Sequence, residues 1–118
     1  MSYFAVFGVP DKDEPVDADD IASNTGWAAF QDWAYQLGDD YPELAYLGEW
    51  GEVYAPEGDD HDALAALESE LRRALRDKPG KPSRSVLSVG ARLLLVVEQR
   101  PAGAFYLAVT DGTEGDEE

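Results

Sequence analysis

The chain has 118 residues, 44% of them hydrophobic and 11% aromatic, with a formal net charge of −16 and no cysteine. That is enough apolar material for one buried core and too much for a disordered chain. The missing cysteine excludes disulfides, thiolate catalysis and cysteine-ligated metals, and the acidity disfavours direct binding to nucleic acid phosphates or anionic membranes.

The charge is unevenly placed. Residues 1–71 hold 18 acids and one base, residues 72–100 hold eight bases and two acids, and residues 101–118 add five acids. A basic protein is the partner such a surface favours, although acidity also serves solubility or life in a salt-rich cytoplasm. The N-terminal "MSYFAVFGVPDKDEP" lacks the basic n-region of a signal peptide. No stretch reaches the roughly 18 apolar residues of a membrane span, so a cytoplasmic location away from membranes is expected.

In chain order, "SYFAVFGV" (2–9) is aromatic and branched and closes at Pro10, which predicts a buried strand. "PDKDEPVDADD" has two prolines among closely spaced acids, so residues 10–22 are expected to form an acidic surface loop. A helix over 26–37 follows, capped by Ser23, Asn24 or Thr25 and stopped by Gly38. Its period places Trp27, Phe30, Ala34 and Leu37 on one face with Trp33 at the edge, and Gln31, Asp32 and Tyr35 on the other side.

"DDYPELAYLGEW" predicts a second helix over 41–50, with Asp40 as cap, Pro42 in the first turn and Glu43 completing a capping box. Leu44 and Leu47 share one side of it; Tyr46 and Trp50, four residues apart, share the opposite side. Residues 25–54 carry eight of the thirteen aromatics. Trp27, Phe30 and Trp33 go to the core, whereas Tyr35, Tyr46 and Trp50 are left over. Either they pack beneath the acidic loops, or they form an exposed patch rimmed by Glu43, Glu49 and Glu52, the composition of a protein interface. "EVYA" (52–55) suits a short strand.

"GDDHDALAALESELRRALRDKPG" predicts a helix over 61–77, capped by Asp59 or Asp60, striped by Leu64, Leu67, Leu71 and Leu75, and ended by Pro79–Gly80. Its acids come first and Arg72, Arg73, Arg76 and Lys78 last, the order the helix dipole favours. That ordering explains the basic cluster better than a phosphate-binding patch would, since no aromatics or glycine-rich cradle accompany it.

"SRSVLSVGARLLLVVEQ" fits both a helix, with Val86, Val89, Leu93 and Val97 aligned, and an alternating strand. Its length favours a helix over 85–98. "RPAG" reads as a turn, "AFYLAVTDG" (104–112) as a strand, and residues 113–118 as a frayed acidic tail. The expected fold is α+β: one domain over 1–112, with the N- and C-terminal strands paired in a small sheet and three to four helices packed on it.

Catalytic groups are scarce. His61 is the one histidine and sits among carboxylates that would raise its proton affinity and make it a poor base. "EGDDHD" (57–62) gathers acids around it without the spacing of a calcium loop, and "DGTEGDEE" fails the same test. No catalytic residue, metal or cofactor is assigned. The expectation is a small acidic, non-catalytic protein-binding module of the immunity, antitoxin or inhibitor kind. It would engage a basic partner through Tyr35, Glu43, Tyr46, Glu49, Trp50 and Glu52. Two alternatives remain: an enzyme accessory or weak metal-assisted hydrolase centred on His61, and a structural subunit that buries Tyr46 and Trp50 between chains.

Overall fold

The structure is a computed structural model, described here over residues 2–10, 16–54 and 62–111. Four strands, β1 (Ser2–Gly8), β2 (Val16–Ser23), β3 (Glu52–Tyr54) and β4 (Tyr106–Asp111), form one sheet in the order β2-β1-β4-β3, and every pairing is antiparallel. The two terminal strands pair at the centre of the sheet, Phe4 opposite Thr110 and Phe7 opposite Leu107. Helices α1 (Asn24–Leu37) and α2 (Pro42–Trp50) carry the chain from the β2 edge to the β3 edge. From β3, α3 (Ala63–Asp77) and α4 (Arg84–Glu98) return it to the centre. The α+β single domain expected from the sequence is thus observed. Residues 85–98 are helical, as their length favoured.

Strand alternation divides the sheet. Ala5, Phe7, Ile21, Val53, Leu107 and Val109 are buried toward the helices, while Phe4, Val6, Tyr106, Ala108 and Thr110 lie half-buried on the other face. Tyr3 begins a run of aromatic contacts: its ring lies 5.9 Å from Trp27, Trp27 lies 5.5 Å from Phe30, and Phe30 lies 5.7 Å from Trp33. Each such pair contributes roughly 0.5–1.5 kcal/mol beyond the burial of its area. Trp33 also donates its indole N–H to the Pro79 carbonyl at 2.7 Å, tying α1 to the α3–α4 connection.

Three local expectations need correction. The acidic loop expected over 10–22 is in part a strand: residues 16–23 form β2, while residues 11–15 lie outside the described residues. An edge strand needs little apolar surface. Here Ile21 supplies the buried anchor, and the exposed Asp20 puts a charge on the edge, which discourages pairing with another chain. The α3 cap is Asp62, whose carboxylate accepts from Ala65 N–H at 3.0 Å, rather than Asp59 or Asp60. The α2 start is not capped by Asp40, which belongs to a 3-10 turn at Gly38–Asp40; its N-cap position, Tyr41, makes no side-chain cap bond. The expected Ser23 cap of α1 is present, accepting from Gly26 N–H at 3.1 Å. The frayed tail expected over 113–118 lies outside the described residues.

Helices α1 and α2 meet at Gly48. A Cβ there would stand 2.6 Å from Tyr35 N, 2.8 Å from Gln31 O and 3.1 Å from Ala34 Cβ, so two of its three neighbours are backbone atoms that cannot swing away. Gly48→Ala must therefore push the helices apart. A loss of ~1–3 kcal/mol in unfolding free energy is expected from this overpacking, read by urea denaturation. An unchanged urea midpoint would show that α2 does not sit where described.

Candidate functional site

Helix α2 has nine residues, too few to be stable alone, so its orientation comes from what grips it. Leu44 and Leu47 are fully buried on its inner side and Gly48 seats it on α1. Its first turn is held by α3. Glu70, only 7% exposed, accepts the Leu44 N–H at 2.9 Å through Oε1. Next to it Arg73 donates to the Asp40 carbonyl at 3.0 Å and places its guanidinium 4.5 Å from the centre of the buried Tyr41 ring. Pro42 at the first helical position lacks an amide and leaves no donor unsatisfied there.

Burial raises the Glu70 pKa above the usual glutamate range. The amides of Leu44 and Glu43 oppose that rise, the Glu43 charge adds to it, and Arg73 reduces it. Composition does not single out Glu70, although it stands three residues after Leu67 and four before Ala74, on the apolar stripe itself. A charged residue at such a position is the signal that could have found it.

With the inner face fixed, the outer face is presented to solvent. Tyr46 is 39% and Trp50 62% exposed, their ring centres 6.4 Å apart and tilted at 45°. Gly51, in the left-handed conformation, ends the helix and passes directly into β3; its N–H reaches Leu47 O at 2.7 Å and its carbonyl accepts from Val109 N at 2.9 Å. On β3 Val53 is buried, so Glu52 and Tyr54 share the opposite, outer face. Tyr54 is 46% exposed. Tyr106, directly opposite Tyr54 on β4, donates its hydroxyl to Glu52 Oε1 at 2.8 Å. Burial and that carboxylate push the Tyr106 pKa up to about 12.

The Tyr46 pKa lies above the usual tyrosine value, raised first by desolvation and then by the charges of Tyr54, Glu52, Glu49 and Glu43. Tyr35, 56% exposed on α1, faces Tyr46 and Glu49 across a shallow groove of about 440 Å3 that also takes in Asp39 and Pro42. Of the six residues expected at a binding surface, Tyr35, Tyr46 and Glu49 line this groove, the Trp50 ring lies beside Tyr46, and the charges of Glu43 and Glu52 reach the Tyr46 hydroxyl. Tyr54 joins them, and the alternation around Val53 in "EVY" would have indicated it.

The surface offers ring faces, hydroxyls and carboxylates, the groups that bind cations and peptide amides. His61 and the acids at 57–60 lie outside the described residues, and among the described residues no three metal-ligating side chains converge. No helix among them is long and apolar enough to cross a membrane. Comparison with protein-family models, curated proteins and solved structures finds no match for this chain.

Two substitutions separate the parts played by Glu70. Glu70→Ala strands the buried Leu44 amide and is expected to destabilise by ~1–2 kcal/mol. Glu70→Gln retains an acceptor oxygen without the buried charge. Because the folded state binds this proton more tightly than the unfolded chain, losing it favours unfolding. Wild type should therefore lose stability relative to the glutamine variant as pH climbs from the ordinary glutamate pKa through the raised folded value. The full deficit persists above that value. Urea midpoints from about pH 4 to 8 read the difference, and parallel curves would refute this account of Glu70.

Proposed function

We propose that this protein is a small, non-catalytic binding module of the immunity, antitoxin or inhibitor kind, acting in the cytoplasm on a basic protein. The observation that carries the reading is the α2–β3 face. Tyr46, Trp50 and Tyr54 are exposed on α2 and β3, the Tyr46 and Trp50 rings lie side by side, and the charges of Glu52, Glu49 and Glu43 act on the Tyr46 hydroxyl. Exposed tyrosine and tryptophan supply anchoring area, and carboxylates of one sign steer a cationic partner into place.

The distribution of cations supports the same reading. Several bases of residues 72–100 are engaged within the protein. Arg72 bridges Glu68 and Glu98, Arg100 bonds Glu68 at 2.7 Å, and Arg76 pairs with Asp77. Glu49 and Glu52 enter none of these ion pairs among the described residues. Glu49 and Glu52 therefore add negative potential beside the exposed rings, while three of the eight bases of residues 72–100 are held in ion pairs.

Affinity capture from native lysate at about 0.05 M and about 0.5 M salt, with wild type beside Trp50→Ala, tests the proposal. A basic protein held by wild type at low salt, weakened at high salt and bound at least roughly tenfold less tightly by the variant is the expected result. A partner that ignores both salt and the substitution would remove the basis for this interface. Sedimentation of the isolated protein separates the reading from a structural subunit: self-association that buries Trp50 would favour the assembly instead.

A further inference from the structure

Resting on the reading above, we propose that the partner docks as an extended segment, alternating basic and apolar residues, that adds as a fifth strand to the free edge of β3. Among the described residues the sheet order leaves β3 with one neighbour, β4. The bond from Val109 N to Gly51 O makes that pair a hydrogen-bonded one, so the antiparallel alternation makes Val53 and Leu107 the next. The amides and carbonyls of Glu52 and Tyr54 then point away from β4, toward the open side. Those are the backbone groups an incoming strand would pair with.

The flanking side chains define the chemistry of that strand. Residues of the segment on the outer face lie beside Glu52 and Tyr54, where a lysine or arginine sets its charge against the carboxylate and its aliphatic stem along the ring. Intervening residues turn inward, on the same side as the buried Val53, and favour small apolar groups. Trp50 and Tyr46 extend the ring surface beyond the strand. Contact is short, so backbone bonds supply register and the side chains supply most of the affinity.

The opposite edge is less suited. β2 pairs with β1 through two register shifts, and such irregularities twist an edge away from a flat partner; β3 pairs with β4 in unbroken register over Glu52–Tyr54.

The test uses a blocked seven-residue peptide alternating lysine and valine, a second copy with alternate amides N-methylated, and a third with the same residues in two blocks. Binding is read by Trp50 fluorescence and by hydrogen exchange at individual amides. The alternating peptide is expected to slow exchange at the Glu52 and Tyr54 amides. The methylated and block peptides should bind roughly tenfold more weakly, because both keep the charge while the first loses the ladder bonds and the second the match of side chains to the two faces.

Equal binding of all three peptides would overturn strand addition, as would protection appearing on β2 instead or no binding at all. The two proposals fail separately. A natural partner captured in a salt- and Trp50-dependent way, with the Glu52 and Tyr54 amides still exchanging freely in its complex, would leave the acidic interface standing and remove the added strand.

Discussion

Helix α2 is held at its first turn by a carboxylate that approaches from another helix, and the exposed face of the protein depends on that contact. A nine-residue helix has unsatisfied amides at its start and too few internal bonds to persist by itself. Glu70 answers one of those amides, Arg73 clasps the turn just before it, and Leu44, Leu47 and Gly48 complete the seat. A negative charge at a helix N-terminus is favoured by the dipole, which offsets part of the cost of burying it. With the inner side so constrained, Tyr46 and Trp50 have one direction in which to point.

The same helix α3 performs two electrostatic tasks. Toward α2 it supplies Glu70 and Arg73. Toward α4 it supplies Glu68 and Arg72, which pair with Arg100 and Glu98. The hydrogen bond from Arg100 leads the groups that hold the Glu68 carboxyl below its usual range. Exposed ion pairs of this type contribute little to stability, roughly 0–1 kcal/mol each. Their consequence is instead for the field around the molecule, because three of the eight bases of residues 72–100 are neutralised locally.

The sheet has two unlike edges. β2 combines the exposed Asp20 with irregular register, two devices that resist pairing with foreign strands. β3 is short, regular and bordered by rings. That asymmetry places the receptive edge beside the aromatic surface, and the continuity through Gly51 makes helix and strand parts of one face.

What could be read directly from the residues is whatever repeats over a few positions. The stripes Trp27–Phe30–Ala34 and Leu64–Leu67–Leu71 marked their helices because the period of 3.6 is local, and the opposed pairs on α2 followed from the same geometry. The branched content of residues 2–9 and 104–111 marked the central strands, and the terminal strands do pair. β2 escaped because composition describes solvation, whereas an edge strand is stabilised by the neighbour whose ladder it completes. The α2 cap escaped because its acceptor lies 26 residues away, so the nearby Asp40 was the one visible candidate. Sequence spacing thus decided which side of each element is apolar; only the tertiary packing decided that Tyr35, Tyr46, Trp50 and Tyr54 stay outside together, since that depends on how closely α1 and α2 approach at a residue without a side chain.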